Sequence, residues 1–248
     1  MPAPSLLFQV LNLERRADRR TQFLAWNEET PGLQFEFVSA VDGQALDVDQ
    51  ARQEGLVAET AKFSTGHLAC ALSHRKVLLA AREQARPIFV CEDDAVFRHD
   101  FVAQWQMAHS QLPADWDFML FGYNFDSAIS MELIPGVQSF LASFDNCPIG
   151  AASLRQFRMC FQPSLVRELS NAFGLPAYAV SPRGAEKVLK ACFPLRNEQV
   201  PIPCLRRIIR AFSIDCLLNL HYGKWNAFAS FPPLVCTPND KTQSDTAQ

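Results

Sequence analysis

No two cysteines of this 248-residue chain stand in the Cys-x-x-Cys spacing of redox or zinc-ribbon motifs. The eight cysteines, at positions 70, 91, 147, 160, 192, 204, 216 and 236, stand singly and mostly inside apolar segments, which points to reduced, buried thiols and a reducing compartment. Surplus positive charge is missing too, since the formal net charge is -3. A protein that tracks a phosphate backbone needs a basic surface, so the composition argues against general nucleic-acid affinity and for local binding. No apolar run reaches the roughly 18 to 20 residues of a membrane span, and no charged-then-apolar leader is visible, so a cytoplasmic protein is expected. No internal repeat is visible either. What the chain does have is 48% hydrophobic residues, enough to bury the core of a single α/β domain over residues 1–248.

The opening 5–11 segment, Ser5-Leu6-Leu7-Phe8-Gln9-Val10-Leu11, is a continuous apolar strand pattern of the kind covered on both faces. It runs into Asn12-Leu13-Glu14-Arg15-Arg16-Ala17-Asp18-Arg19-Arg20 and a helix carrying Phe23, Leu24 and Trp26. Basic residues after a first strand are where α/β folds often hold nucleotide phosphates, although a solvated helix face gives the same pattern. A second strand over 35–41 ends at the Asp42-Gly43 turn and completes a βαβ opening. Ser64-Thr65 caps a helix to about residue 85, with Leu68, Leu72 and Leu79 as its buried stripe and Pro87 enforcing its end. His67, Cys70 and His74 fall on one side of that helix, a geometry that suits zinc, but no matched fourth ligand lies nearby in sequence. Hydrogen bonding by Ser73 and His74 is the preferred reading.

The stretch Arg86-Pro87-Ile88-Phe89-Val90-Cys91-Glu92-Asp93-Asp94-Ala95-Val96-Phe97 is a strand that ends in three consecutive carboxylates and turns apolar again. Adjacent acids repel one another and resist desolvation, so a divalent ion or arginines are expected against them; the alternative is a strand end whose acids simply reach solvent. A helix over 100–112 and a strand over 116–122 follow, and Tyr123, Asn124 and Asp126 are expected at the same sheet edge as the acids. Residues 127–155 lack periodicity and are expected to form a long flexible loop suited to a substrate lid. A short strand over 177–180 leads into a helix capped by Ser181 with Pro182 at its first position. Residues 205–212 alternate basic and apolar pairs, so a helix here would be basic and amphipathic, able to touch an anionic membrane. Asp215 heads a short helix as cap or functional carboxylate, His221 follows six residues on, 228–235 is a closing strand, and the polar tail 237–248 is expected to lose order at its end.

Taken in order, Asn12-Leu13, Arg15-Arg16, Asp18-Arg19, Asp42-Gly43, Gly66 with Cys70-Ala71-Leu72-Ser73-His74, Glu92-Asp93-Asp94-Ala95 and Tyr178-x-x-Ser181-x-x-Gly184-Ala185 resemble glycosyltransferase family 25. Pro232-Pro233-Leu234-Val235 and Ser244-Asp245 extend the resemblance. The family includes bacterial lipooligosaccharide β-galactosyltransferases and collagen galactosyltransferases; its members often carry Glu at the place of His67 and Gly at that of Ala69, a departure bearing on donor-sugar identity. The resemblance implies a GT-A-type, Rossmann-like mixed sheet flanked by helices, with 1–125 as the nucleotide-sugar and metal half and 126–248 as the acceptor half. It implies inverting transfer of a hexose, galactose before glucose, from a UDP-sugar to a lipid-linked saccharide acceptor such as lipooligosaccharide, with Mn²⁺ or Mg²⁺. Glu92, Asp94 and His221 would be metal ligands, and Asn12, Arg15, Arg16, Asp42, Ser73, His74, Glu92 and Asp93 donor contacts. Asp215, or Asp126 after it, would be the base. Strand alternation places Glu92 and Asp94 on one face with Asp93 turned away. The location implied is the cytoplasm, with peripheral contact at the inner membrane. The rival classes are a UDP-sugar-binding protein without turnover and a metal-dependent phosphohydrolase.

Overall fold

The computed structural model describes residues 5–145 and 147–246, with the side chain of Cys204 outside the description. Its first half runs β1 (Leu6–Asn12), α1 (Ala17–Asn27), β2 (Leu33–Ser39), α2 (Val48–Gln53), α3 (Thr65–Glu83), β3 (Ile88–Glu92), β4 (Val96–Phe97), α4 (Phe101–His109) and β5 (Phe118–Leu120). The second half adds β6 (Ala128–Ile134), β7 (Gln138–Ser143), α5 (Ala151–Arg158), β8 (Leu165–Asn171), β9 (Ala177–Val180), α6 (Pro182–Cys192), β10 (Gln199–Ile202), β11 (Arg207–Arg210), α7 (Ile214–Leu218), β12 (Ala227–Phe231) and β13 (Val235–Cys236). Among the described residues, nine strands form one mixed sheet in the order β2-β1-β3-β9-β5-β12-β8-β6-β7.

The register fixes where the chemistry sits. β1 pairs parallel with β2 and with β3, placing Leu11 opposite Glu92. β9 runs antiparallel to both β3 and β5, so the carboxyl ends of β1, β3 and β5 share one edge of the sheet. Successive residues of each strand face opposite layers, as the twofold period of a strand requires. Val90, Phe118, Leu120, Tyr178 and Val180 pack with Leu68, Val77 and Leu78 of α3, Val188 of α6 and Leu217 of α7. Phe8, Val10, Cys91, Met119, Phe121 and Ala179 pack with Phe23 of α1 and with Phe101 and Trp105 of α4. A strand buried on both faces reads as an unbroken apolar run, which is why β1, β3, β5 and β9 stand out in the sequence.

Three expectations change. The 127–155 segment is not a structureless loop: it contains the β6–β7 hairpin, which pairs through β8 to the end of the sheet, and then α5. Its outer positions mix polar residues with the exposed Leu133, Ile134, Val137 and Leu141, and its turn is made by Gly136 at positive φ, so it carries a weaker pattern than a doubly buried strand. The basic 205–212 segment is no helix either; Arg207–Arg210 forms β11, antiparallel to β10, because the paired β-branched Ile208 and Ile209 suit an extended backbone. The expected loss of order at the end of the polar tail falls on 247–248, outside the described residues; as far as Thr246 the tail is folded against the protein. The stripe of α3 also shifts, since Leu68 and Leu72 are buried while Leu79 is half-exposed and Val77 and Leu78 take the core positions. Seven described cysteines are free thiols; Cys91, Cys192, Cys216 and Cys236 are buried and Cys147 is exposed. No helix of the described residues is long and apolar enough to cross a membrane.

Candidate active site

β3 stops at Glu92, and the chain turns at once, the Ala95 N–H donating to the Glu92 carbonyl at 3.2 Å. The turn overrides strand alternation and separates the three acids differently from the sequence expectation. Asp93 and Asp94 converge on one guanidinium, with Arg19 Nη2 at 2.7 Å from Asp93 Oδ1 and 3.2 Å from Asp94 Oδ2. Glu92 faces the α3 side, where its Oε1 lies 3.6 Å from His74 Nε2. Asp93 is therefore a full member of the cluster: Asn12, at the end of the adjacent β1, donates from Nδ2 to Asp93 Oδ2 at 2.7 Å. Burial pushes the Asp93 carboxyl up, against the pull of Arg19 and Asn12.

Asp94 is the exceptional group. Its side chain keeps 36% exposure at the outer edge, yet its Oδ1 is enclosed without a hydrogen-bond partner among the described residues. Burial pushes its carboxyl up to about 7, with Glu92 and Asp93 adding to the rise and Arg19 opposing it. The enclosed, unpaired Asp94 oxygen is a hard donor of the kind a divalent cation takes, while Asp93 is held by Arg19 and Asn12 and Glu92 is turned toward His74.

The arginines come from the loop and first turn after β1, as the basic run predicts. Arg15 Nε lies 2.7 Å from Asp42 Oδ2, which holds the Asp42 carboxyl below the usual range. Arg15 Nη2 lies 2.8 Å from Asp245 Oδ1, and Arg16 pairs with both Asp18 and Asp245. Asp245, near the end of the tail, thus sits among Arg15, Arg16 and Arg19 and is only 12% exposed. Apart from the Ser244-Asp245 resemblance, no sequence signal placed it here, because a lone acid in a polar tail carries no period.

The remaining candidates are distributed as follows. Ser73 is turned to the backbone, its Oγ donating to the Ala69 carbonyl and accepting from the Val41 N–H at 2.8 Å. His74 is buried at 1% exposure, with Nδ1 3.0 Å from the Tyr178 hydroxyl. Cys70, one turn before it, has a thiol pushed well up by burial and by the charges of Glu92, Asp215 and Asp94. His67 points elsewhere, pairing with Ser64 Oγ at 2.6 Å and meeting the Phe212 ring edge-on. Asp215 lies inside the first turn of α7, which begins after Ser213, so it is not the cap residue. Its Oδ2 accepts from the Gly174 N–H at 2.7 Å, and its Oδ1 accepts from the Cys216 N–H and the Ser213 hydroxyl. Its charge reaches His67 and Cys70, so it borders the acidic cluster on the α3 side. Asp126 pairs with Lys241 of the tail at 3.0 Å. His221 is not brought to the acids: its ring stacks on Trp225 at 5.1 Å, burial lowers its pKa, and the charges around it are Lys224, Arg196 and Glu198. From there the chain runs to the opposite edge of the sheet, where the Asn226 N–H donates to the buried Asp117. An open groove of about 750 Å³ also lies away from the acids, lined by Glu132, Glu168, Tyr222, Trp225 and Asn226.

Residues 7–204 match the profile of glycosyltransferase family 25, described as an LPS biosynthesis protein. No curated protein matches the chain. Among solved structures, it is similar to the inositol-1-phosphate CTP transferase from T. maritima, at 11% identity over 98% of this chain and 92% of that chain, with a TM-score of 0.42.

Proposed function

This chain belongs to glycosyltransferase family 25, and on that premise we propose that it is an inverting, GT-A-type enzyme that moves a hexose, galactose first, from a UDP-sugar to a lipid-linked saccharide. The observation that carries the proposal is the enclosed, unpaired Asp94 Oδ1 at a sheet edge shared with Glu92, with Arg19 on Asp94 and Arg15 and Arg16 beside it on Asp245. Glu92 and Asp94 would hold Mn²⁺ or Mg²⁺, which supplies charge neutralisation for a departing diphosphate. Arg19 holds Asp93 and Asp94 in place, and Asn12 fixes Asp93 from the neighbouring strand. Arg15 and Arg16 offer guanidinium donors to phosphate oxygens, in competition with Asp245. Asp42 orients Arg15, while Ser73 ties α3 to the loop before Asp42 through the Val41 N–H. Asp215, held by three donors on the α3 side, takes the acceptor hydroxyl proton as attack proceeds. His221 has no part in this scheme. In this scheme the enzyme acts at the inner membrane surface from the cytoplasm.

The test is a screen of UDP-sugars for Mn²⁺-dependent donor cleavage and transfer. UDP-galactose is expected to be turned over, and Asp94→Asn to lose about a hundredfold or more, because an ion's charge stabilisation is worth several kcal/mol. Cleavage unaffected by EDTA would defeat the metal assignment, and Asp215→Asn with parental turnover at saturating substrates would defeat the base.

A further inference from the structure

We propose that Cys70, His74 and Glu92 form a site for a thiophilic divalent cation of the zinc class, distinct in its donor set from the all-oxygen site of Glu92 and Asp94. The Cys70 Sγ, a His74 ring nitrogen and a Glu92 carboxylate oxygen all lie within 4.8 Å of one another. The His74 Nε2 to Glu92 Oε1 separation is 3.6 Å. Tetrahedral zinc, with bonds of about 2.0–2.3 Å, separates its ligand atoms by roughly 3.3–3.8 Å. That pair already has the spacing of two ligands, and the Cys70 thiol lies within 4.8 Å as the third donor.

His74 supplies an independent observation. It is 1% exposed, and its Nε2 is enclosed without a hydrogen-bond partner among the described residues, aimed toward Glu92. An unpaired polar atom in that position is costly unless something occupies the space between. The other ring nitrogen, Nδ1, meets the Tyr178 hydroxyl at 3.0 Å, the kind of outer contact that fixes the tautomer and tilt of a metal-bound imidazole. Cys70 and His74 stand four residues apart on α3, so the helix presents both on one face, and β3 brings Glu92 to them. The sequence offered His67 as the third member of this set; the structure turns His67 to Ser64 and Phe212 and puts Glu92 in its place. Asp94 and Asp215 lie near enough for their charges to act on Cys70, so a dication entering here meets the field of three carboxylates.

A sulfur donor selects zinc, cobalt or ferrous iron over magnesium or manganese. On binding, the thiol proton leaves to solvent as the sulfur–metal bond forms. Because Glu92 belongs to both donor sets, a zinc-class ion withdraws it from the hard-ion site, and the two cations compete.

The experiment uses the full chain, stripped with chelator and titrated with Co²⁺ in the absence of any nucleotide-sugar, so its outcome is independent of the donor assignment. A thiolate-to-cobalt charge-transfer band in the near ultraviolet is expected, displaced by one equivalent of Zn²⁺, kept in Asp94→Asn and lost in Cys70→Ser. Zinc-edge X-ray absorption of the parent protein provides a reading that needs no variant, with one sulfur scatterer expected at about 2.3 Å. A purely nitrogen and oxygen shell, or a charge-transfer band that survives in folded Cys70→Ser, would overturn the site.

Discussion

Arg19 is the residue on which the acidic strand end depends. Its guanidinium is 15% exposed and is shared between Asp93 and Asp94, with Asp245 at 3.7 Å. Replacing one member of a buried charged group leaves the others uncompensated, at a cost of about 3 kcal/mol. Arg19→Gln is therefore expected to lower stability by about that amount at neutral pH and by less in acid, where the carboxylates protonate; urea unfolding at two pH values checks both parts. Asp94 carries a second consequence of the same crowding. Burial raises its folded-state pKa to about 7, above the usual value of 3.8. Between those values the native state holds a proton that the unfolded chain has released, so stability falls as pH rises through the window. In metal-free protein, Asp94→Asn is expected to become progressively more stabilising relative to the parent from pH about 4 to about 7 and to change little above it. A constant difference across that range would show that Asp94 titrates normally.

The elements that hold the site are built from local rules legible in the sequence. Ser64 accepts from the His67 N–H to start α3, Ser181 accepts from the Gly184 N–H to start α6, and Pro182 takes the first helical position. The parallel strands around the acids were readable because double burial leaves them continuously apolar, and Asn12, Arg15, Arg16 and Glu92 to Asp94 were read to the correct edge for that reason. The elements hidden in the sequence share a physical origin. β6, β7, β8 and β11 are short or half-exposed strands whose identity comes from cross-strand partners, which one sequence does not display. Asp93 escapes strand alternation for the same reason, since the position of the turn after Glu92 is a tertiary fact. Gly184 tests how tightly one element is seated. A Cβ there would run into the Asp117 carbonyl oxygen, backbone that cannot swing aside, so α6 would have to shift from the start of β5. Gly184→Ala is expected to cost about 1–3 kcal/mol despite its better helix propensity, read by thermal unfolding. A neutral or stabilising result would mean that α6 slides freely on the sheet.

At the scale of the whole molecule, the polar tail joins parts of the chain that no strand connects. Asp245 binds the arginines that follow β1, while the Asp245–Thr246 backbone lies against Gly66, where any side chain would collide with it. The Ser64 hydroxyl donates to the Thr246 carbonyl at 3.2 Å, and Lys241 reaches Asp126 beyond β5. The tail therefore bridges the loop after β1, the start of α3 and the segment after β5, all at the edge that carries the acids. Two opposite effects follow from removing the Asp245 charge. Stability should fall by about 1–2 kcal/mol, since charge-assisted hydrogen bonds to the arginines are lost, and the loss should shrink in high salt because Arg15 is partly exposed. UDP should bind more tightly, because Arg15 and Arg16 no longer share their donors with a carboxylate and a diphosphate takes them without displacing one. Asp245→Asn is thus expected to melt earlier and to titrate UDP with higher affinity in calorimetry, and Gly66→Ala, which pushes the tail away without altering charge, should speed proteolytic removal of the tail. If Asp245→Asn weakened UDP binding instead, the carboxylate would be orienting the arginines for the nucleotide, and the competition between tail and diphosphate would have to be abandoned.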